Sequence, residues 1–217
     1  MKTHAVFALA LLLGARAAVS QTPAEPAPDQ QAEWSAIRAK PLPEDPASEL
    51  CEIIEGSHSP DGRYAFGFYS EEETCLVDLK LNRVIAWSPV AHRGPNQKYN
   101  YNSLEVIWSK DSSQVLELEQ GKWDTHQAEA FRISDGKATW LGDVMTSLRQ
   151  AGDAREKKNP AFKGAMTIGA AEFGKKLSLS GSGVLQVPQS LTDDSHDFTF
   201  SGSFSSGKFK VESLKAK

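Results

Sequence analysis

Asp124 and His126 are the one acid–imidazole pair whose spacing suits chemistry. In an extended strand, residues two apart point to the same side. Asp124 could therefore orient His126 for acid–base work or metal binding. No nucleophile or third ligand is recognisable beside them, and the stretch reads first as a polar hairpin. The other candidates carry less. His58, His92, His126 and His196 include no i,i+4 pair of the kind that holds zinc on a helix, and the chain has no GxSxG elbow, phosphate-binding glycine loop or CxxC pair. Gly181-Ser182-Gly183 falls short of a nucleophile elbow. Asp193, Asp194, Ser195 and Asp197 offer hard oxygens but lack the ligand spacing and turn glycine of a calcium loop. On this reading no residue is assigned as catalytic, cofactor-binding or metal-ligating.

A binding surface is the better expectation. Tyr99, Tyr101 and Trp123 join Asp124 and His126 as candidate partner-binding residues, because exposed aromatics combine apolar area with little entropy to lose. Their partner would be a protein or a carbohydrate. Nucleic acid is disfavoured: 28 acidic residues outnumber 24 Lys and Arg, giving a formal charge of -4. The short basic run Arg155-Glu156-Lys157-Lys158 reads as helix-end charge, and Glu71-Glu72-Glu73 as a solvated turn.

These residues need a scaffold and an address. Residues 1–20 read as a secretory signal: Lys2 and His4 precede the apolar run Ala5 to Leu13, and Ala18-Val19-Ser20 supplies small residues before Gln21. The apolar run is too short to cross a bilayer, and no later segment is expected to insert once the signal is removed. The expected location is secreted or periplasmic. In an oxidising compartment Cys51 and Cys75 make one candidate disulfide. Both fall in apparent strands of one meander with a third strand between, however, and next-but-one strands lie about 9–10 Å apart. The bond needs its strand ends to leave the regular ladder.

Residues 21–47 form a proline-rich leader in which a short helix could dock Trp34 and Ile37 on the body. Residues 48–217 are expected to form a single mainly β domain. Strands are predicted at Leu50–Ile54, Arg63–Tyr69, Cys75–Leu79 and Arg83–Trp87, and the plan returns from Leu104 to Leu141. Asp143 is placed to cap a helix reaching about Lys158. Short strands are expected at Ala165–Ala170, Lys176–Ser180 and Gly183–Val187, followed by a hairpin turning at Ser205-Ser206-Gly207. Phe198, Phe200, Gly202 and Phe204 should share one buried face.

Ser59-Pro60-Asp61-Gly62-Arg63 ahead of an aromatic strand resembles the turn of TolB-type and WD40-like β-propeller repeats. Ser109-Lys110-Asp111-Ser112 is a degenerate copy at an offset of 50. The resemblance covers residues 50–141 and implies blade-like meanders, but transfers no enzyme residue. Two copies cannot close a propeller, which normally needs at least four blades. The expected fold is mainly β, with antiparallel meanders forming a partial-propeller-like or sandwich-like body and one or two short helices. The expected function is a non-enzymatic binding or scaffold domain with a cell-envelope or extracellular partner. The alternative is a divergent hydrolase, or a hydrolase accessory domain, using Asp124 and His126.

Overall fold

The computed structural model describes residues 28–70, 73–90, 103–121, 124–156, 164–186 and 195–217. The signal segment, residues 21–27, Tyr99, Tyr101, Trp123 and the acidic residues 193 and 194 lie outside the described residues.

Two helices open the described chain, α1 (Pro28–Arg38) and the single turn α2 (Ala47–Leu50). The first sheet follows as an antiparallel meander of β1 (Glu52–Ile53), β2 (Tyr64–Ser70), β3 (Glu73–Asp78) and β4 (Arg83–Ser88). The second repeats it with β5 (Ser103–Trp108), β6 (Gln114–Gln120), β7 (Thr125–Ser134) and β8 (Lys137–Asp143). Helix α3 (Val144–Glu156) then leads to a third meander: β9 (Ala165–Phe173), β10 (Ser178–Gln186), β11 (Ser195–Ser205) and β12 (Lys208–Ala216). Three four-stranded antiparallel sheets and few helices make the chain mainly β, as its alternation implied.

The two related turns are built from the same hydrogen bonds. Ser59 Oγ donates to Asp61 Oδ1 and accepts from Tyr64 N, while Arg63 N donates to Asp61 Oδ1. Fifty residues on, Ser109 Oγ donates to Asp111 Oδ1 and accepts from Gln114 N, and Ser113 N donates to Asp111 Oδ1. The third corner explains why the second copy survives its substitutions. Gly62 sits at φ +70°, and Ser112 takes the same left-handed corner at φ +58°. A serine pays a modest penalty there, and Ser112 Oγ also accepts the backbone N–H of Asp61 at 3.2 Å. The second turn thus braces the first.

The sheets stack face to face around three apolar layers. Tyr64, Phe66, Leu76 and Ile85 of the first sheet meet Val115, Phe131 and Ile133 of the second. The opposite face of the second sheet, with Leu116, Leu118, Ala128 and Ala130, packs with Val144, Met145 and Leu148 of α3 and with the phenylalanines of the third sheet. On the outer face of the first sheet, Ile37 of α1 and Ala47 of α2 cover Cys75, Val77 and Val84. The leader helix therefore docks through Ile37, with Trp34 half-buried. At the other end of the stack the third sheet turns hydroxyls outward: Ser178, Ser180 and Ser182 pair across strands with Ser203, Ser201 and Thr199. Among the described residues, helices cover one end of the stack and a polar face forms the other.

Two local expectations are corrected. The predicted strand at Leu50–Ile54 shrinks to two residues because the chain is still helical through Leu50. The segments Lys176–Ser180 and Gly183–Val187 are not two strands but parts of one, β10, which runs unbroken through Gly181 and Gly183. Those glycines are not breaks; they are sockets. A Cβ on Gly181 would lie 2.6 Å from the Phe200 ring, and one on Gly183 2.7 Å from the Phe198 ring, their register partners on β11. Helix α3 has the expected cap, with Asp143 Oδ1 accepting from Met145 N and Thr146 N; it is described as far as Glu156, and Lys157 and Lys158 lie outside the described residues.

Candidate functional site

Asp124 and His126 come together as their spacing requires, but they are not free. His126 Nε2 lies 3.1 Å from Asp124 Oδ1 and Nδ1 lies 3.4 Å from Glu119 Oε1. The β6–β7 pairing shifts register at Glu119/Gln120, which helps bring the Glu119 carboxylate to the ring. The imidazole lies over Gly121, where an added Cβ would fall 2.4 Å from Nε2. Arg149 of α3 closes the group: its Nη2 is 3.3 Å from Asp124 Oδ2 and 2.8 Å from the Thr125 carbonyl. Hydrogen bonding to Asp124, and then to Glu119, raises the His126 pKa to about 9. Burial pushes the Asp124 carboxyl up, but the bonds and charges of His126 and Arg149 outweigh it and hold the group below its ordinary value. At neutral pH the ring is an imidazolium between two carboxylates. It has no lone pair with which to take a proton from a nucleophile. The arrangement fastens the β6–β7 hairpin to α3.

The polar face of that hairpin also joins the sheets. Thr125 Oγ1 donates to Gln120 Oε1 at 2.7 Å and accepts from Ile168 N at 2.9 Å, and Gln120 Nε2 donates to the Ile168 carbonyl at 2.7 Å. These bonds tie the second sheet to β9.

The strongest electrostatic feature is one that the sequence reading missed. Glu117 on β6 and Glu129 on β7 are register partners, and both are fully buried between the first two sheets. Glu117 Oε1 accepts from Thr74 Oγ1 at 2.5 Å, and Oε2 has no hydrogen-bond partner. Burial raises its pKa to about 8, against the hydroxyl bonds of Ser88 and Thr74 and with added repulsion from Glu129 and Glu119. Burial, then the charge of Asp143, raises Glu129 to about 7. Glu129 is nonetheless well held. Arg38 Nη1 of α1 donates to Oε1 at 3.0 Å, Gln127 Nε2 donates to the same oxygen, and the Trp140 indole N–H bonds Oε2. The Arg38 guanidinium lies 4.3 Å from the centre of a Trp140 ring. No group of three or more His, Cys, Asp or Glu residues suited to a metal occurs among the described residues.

Cys51 and Cys75 are both free thiols, so the expected disulfide is not present in this structure. Their placement still answers the ladder objection. Cys51 is the extended C-cap of α2, one residue before β1, and Cys75 pairs with Gly67 of β2. Because Gly67 has no side chain, the two sulphurs approach each other over it. A Cβ there would lie 2.7 Å from Cys51 Sγ and 3.1 Å from Cys75 Sγ. Hydrogen bonding between the thiols lowers the Cys51 pKa, while that bond and burial raise Cys75.

No family model and no curated protein matches the chain. Among solved structures, the Cps50 (Swd1) β-propeller domain of Myceliophteria thermophila overlays with a TM-score of 0.39 at 8% identity, covering 80% of this chain and 47% of that one. The chain therefore spans about half the length of that propeller. A complex of KlAtg21 with the coiled coil of AgAtg16 gives a TM-score of 0.20 at 7% identity, covering 71% of this chain and 68% of the other. At these scores neither overlay bears on function, and the architecture rests on the strand order and registers themselves.

Proposed function

We propose that this chain is a secreted or periplasmic, non-enzymatic binding or scaffold domain that presents loops on a rigid stack of sheets to a cell-envelope or extracellular partner. The observation that carries the proposal is the commitment of His126. With both ring nitrogens facing carboxylates, the only acid–imidazole pair suggested by the sequence serves as a structural clamp, which disfavours the hydrolase alternative. The signal-like residues 1–20 support export. No helix among the described residues is long and apolar enough to cross a membrane.

The experiment isolates the native protein from the extracytoplasmic fraction after in-cell cross-linking. The proposal expects a defined complex of fixed stoichiometry, and a mature chain beginning near Gln21. A lone monomer that hydrolyses ester, peptide or glycoside substrates, with turnover abolished by His126→Ala, overturns it.

Export also sets the fate of the thiols. In the oxidising compartment Cys51 and Cys75 should form a disulfide, seen in the denatured chain as resistance of both to alkylation until reductant is added. In the chain-entropy picture the bond contributes roughly 3 kcal/mol. Gly67→Ala should push the sulphurs apart, leave both thiols alkylatable and cost about 1–3 kcal/mol by overpacking. Two alkylatable thiols in the exported wild type would refute the bridge.

A further inference from the structure

We infer that the face of the body formed by its outer strand connections docks on a surface of anionic phospholipid headgroups. This rests on the binding-domain reading and deepens it by naming the envelope component bound.

Topology gathers those connections. In each four-stranded meander the first and third connections lie at one end of the strands and the second at the other. The three sheets share that orientation. Asp61 N donates to Ser112 Oγ between the first connections of the first two sheets, and Arg83 Nη2 donates to the Gly136 carbonyl between their third connections. Lys110 Nζ of the second sheet meets Glu172 Oε1 at 3.4 Å, beside the first connection of the third.

Charge on this face is lopsided. Every sheet contributes exposed bases: Lys80 and Arg83 from the first, Lys137 from the second, and Lys175, Lys176 and Lys208 from the third. None of them has an ion-pair partner among the described residues. Arg63 and Lys110 are paired, with Asp78 and Glu172. The remaining acids are Asp61 and Asp111, which accept hydrogen bonds within their turns, and the exposed Glu55 and Asp135. Bases therefore outnumber acids here, in a chain whose formal charge is -4. On the opposite face the carboxylates of Glu73, Glu119 and Asp124 are met by Lys40, His126 and Arg149.

The layout selects the ligand. The unpaired bases are spread over the tips of three sheets instead of lining one pocket. An extended anionic surface meets them together, whereas a single phosphate would meet one or two. Leu81 follows Lys80 on the β3–β4 tip, two residues before Arg83, and is 51% exposed. A leucine among bases suits the boundary between headgroups and acyl chains, where the apolar side chain enters and the cations stay at the phosphates. Each base held within a Debye length of such a surface is worth about fivefold in affinity.

The test is co-sedimentation of the mature chain with vesicles of phosphatidylcholine, alone or with about 30% phosphatidylglycerol, in about 50 mM and about 500 mM salt. Polyglutamate is titrated separately as a soluble polyanion. The expected result is saturable binding to the anionic vesicles at low salt, with little at high salt or to the neutral vesicles. Lys80→Glu and Lys175→Glu should each weaken it at least about fivefold at unchanged melting temperature. Leu81→Ser should weaken it roughly threefold or more. Lys215→Glu, at an exposed site towards the far end of β12, should leave it nearly unchanged. If a charge reversal does not fold, Lys80→Gln and Lys175→Gln decide in its place. No binding to anionic vesicles, equal binding to both kinds, or equal losses from Lys215→Glu and Lys80→Glu overturns the assignment. So does binding of polyglutamate without binding of vesicles, which would make the partner an acidic polypeptide. Such a failure, with the native cross-linked complex intact, removes the lipid proposal only. Turnover of ester, peptide or glycoside substrates by the monomer removes the scaffold reading instead.

Discussion

Arg38→Met is expected to cost about 3–4 kcal/mol at pH 9, in the range for breaking a buried ion pair, and only about 1 kcal/mol at pH 5, where lost stem packing and ring contact are what remain. The difference follows from Glu129. Its carboxyl is fully buried, and its pKa is raised to about 7, so it is ionised at pH 9 and protonated at pH 5. Ionised, it depends on the guanidinium that α1 brings to it; protonated, it does not. Asp143, and at pH 9 the register partner Glu117, repel the ionised form and deepen the dependence. Above pH 7 the penalty should grow by at most about 1.4 kcal/mol per pH unit until the variant's own carboxyl ionises. Denaturant unfolding at both pH values measures this. Adding Glu129→Gln to Arg38→Met should erase most of the pH 9 loss. Equal losses at both pH values would mean that Arg38 serves α1 by packing alone.

Local features were legible in the sequence, and long-range ones were not. The serine–aspartate turns could be read at an offset of 50 because their bonds form within five residues of the chain. The buried face of Phe198, Phe200, Gly202 and Phe204 could be read because a two-residue period survives any sheet arrangement. Asp143 could be read as a cap because its partners are two and three positions on. Strand alternation alone would turn the acids at 117 and 129 to solvent, but that holds only for a sheet with one wet face, and the second sheet is covered on both. The run Val115-Leu116-Glu117-Leu118-Glu119, alternating with apolar residues on both sides, was the available sign of a strand covered twice. Arg38 lies 91 residues from Glu129, beyond the reach of any periodicity. The thiols were read as a pair on condition that their strand ends leave the ladder, and Cys51 does so at the end of α2, with the missing Gly67 side chain permitting the approach. Of the expected partner-binding set, the structure describes only Asp124 and His126, and it spends them on each other.

Glu117→Gln should reverse sign with pH, destabilising slightly in acid and stabilising in base. Glu117 has a folded pKa raised from 4.5 to about 8. The unfolded chain therefore gives up the proton near pH 4.5, while the folded one holds it until about pH 8. Across that window stability falls as pH rises, by as much as about 5 kcal/mol in total. A glutamine carries no charge to bury and escapes the loss. It is not free of cost, because its amide group takes the place of Oε2, which has no partner. Near pH 5 the variant should match or fall slightly below the wild type, and at pH 8.5 it should melt higher. Other groups titrate in or near this window without hiding the crossing, Glu129 among them, because its loss of stability up to about pH 7 occurs in both proteins. His126, raised to about 9, stabilises fully below pH 6.5 and loses that contribution as pH climbs through 9, but it does so equally in both proteins. Asp61, Asp78, Asp111 and Asp124, all lowered, lose theirs only as pH falls below the ordinary carboxylate range. A variant that melts lower than wild type at every pH from 5 to 9 would show that Glu117 is held as a charged hydrogen-bond acceptor for Thr74 and Ser88, rather than tolerated as a buried acid.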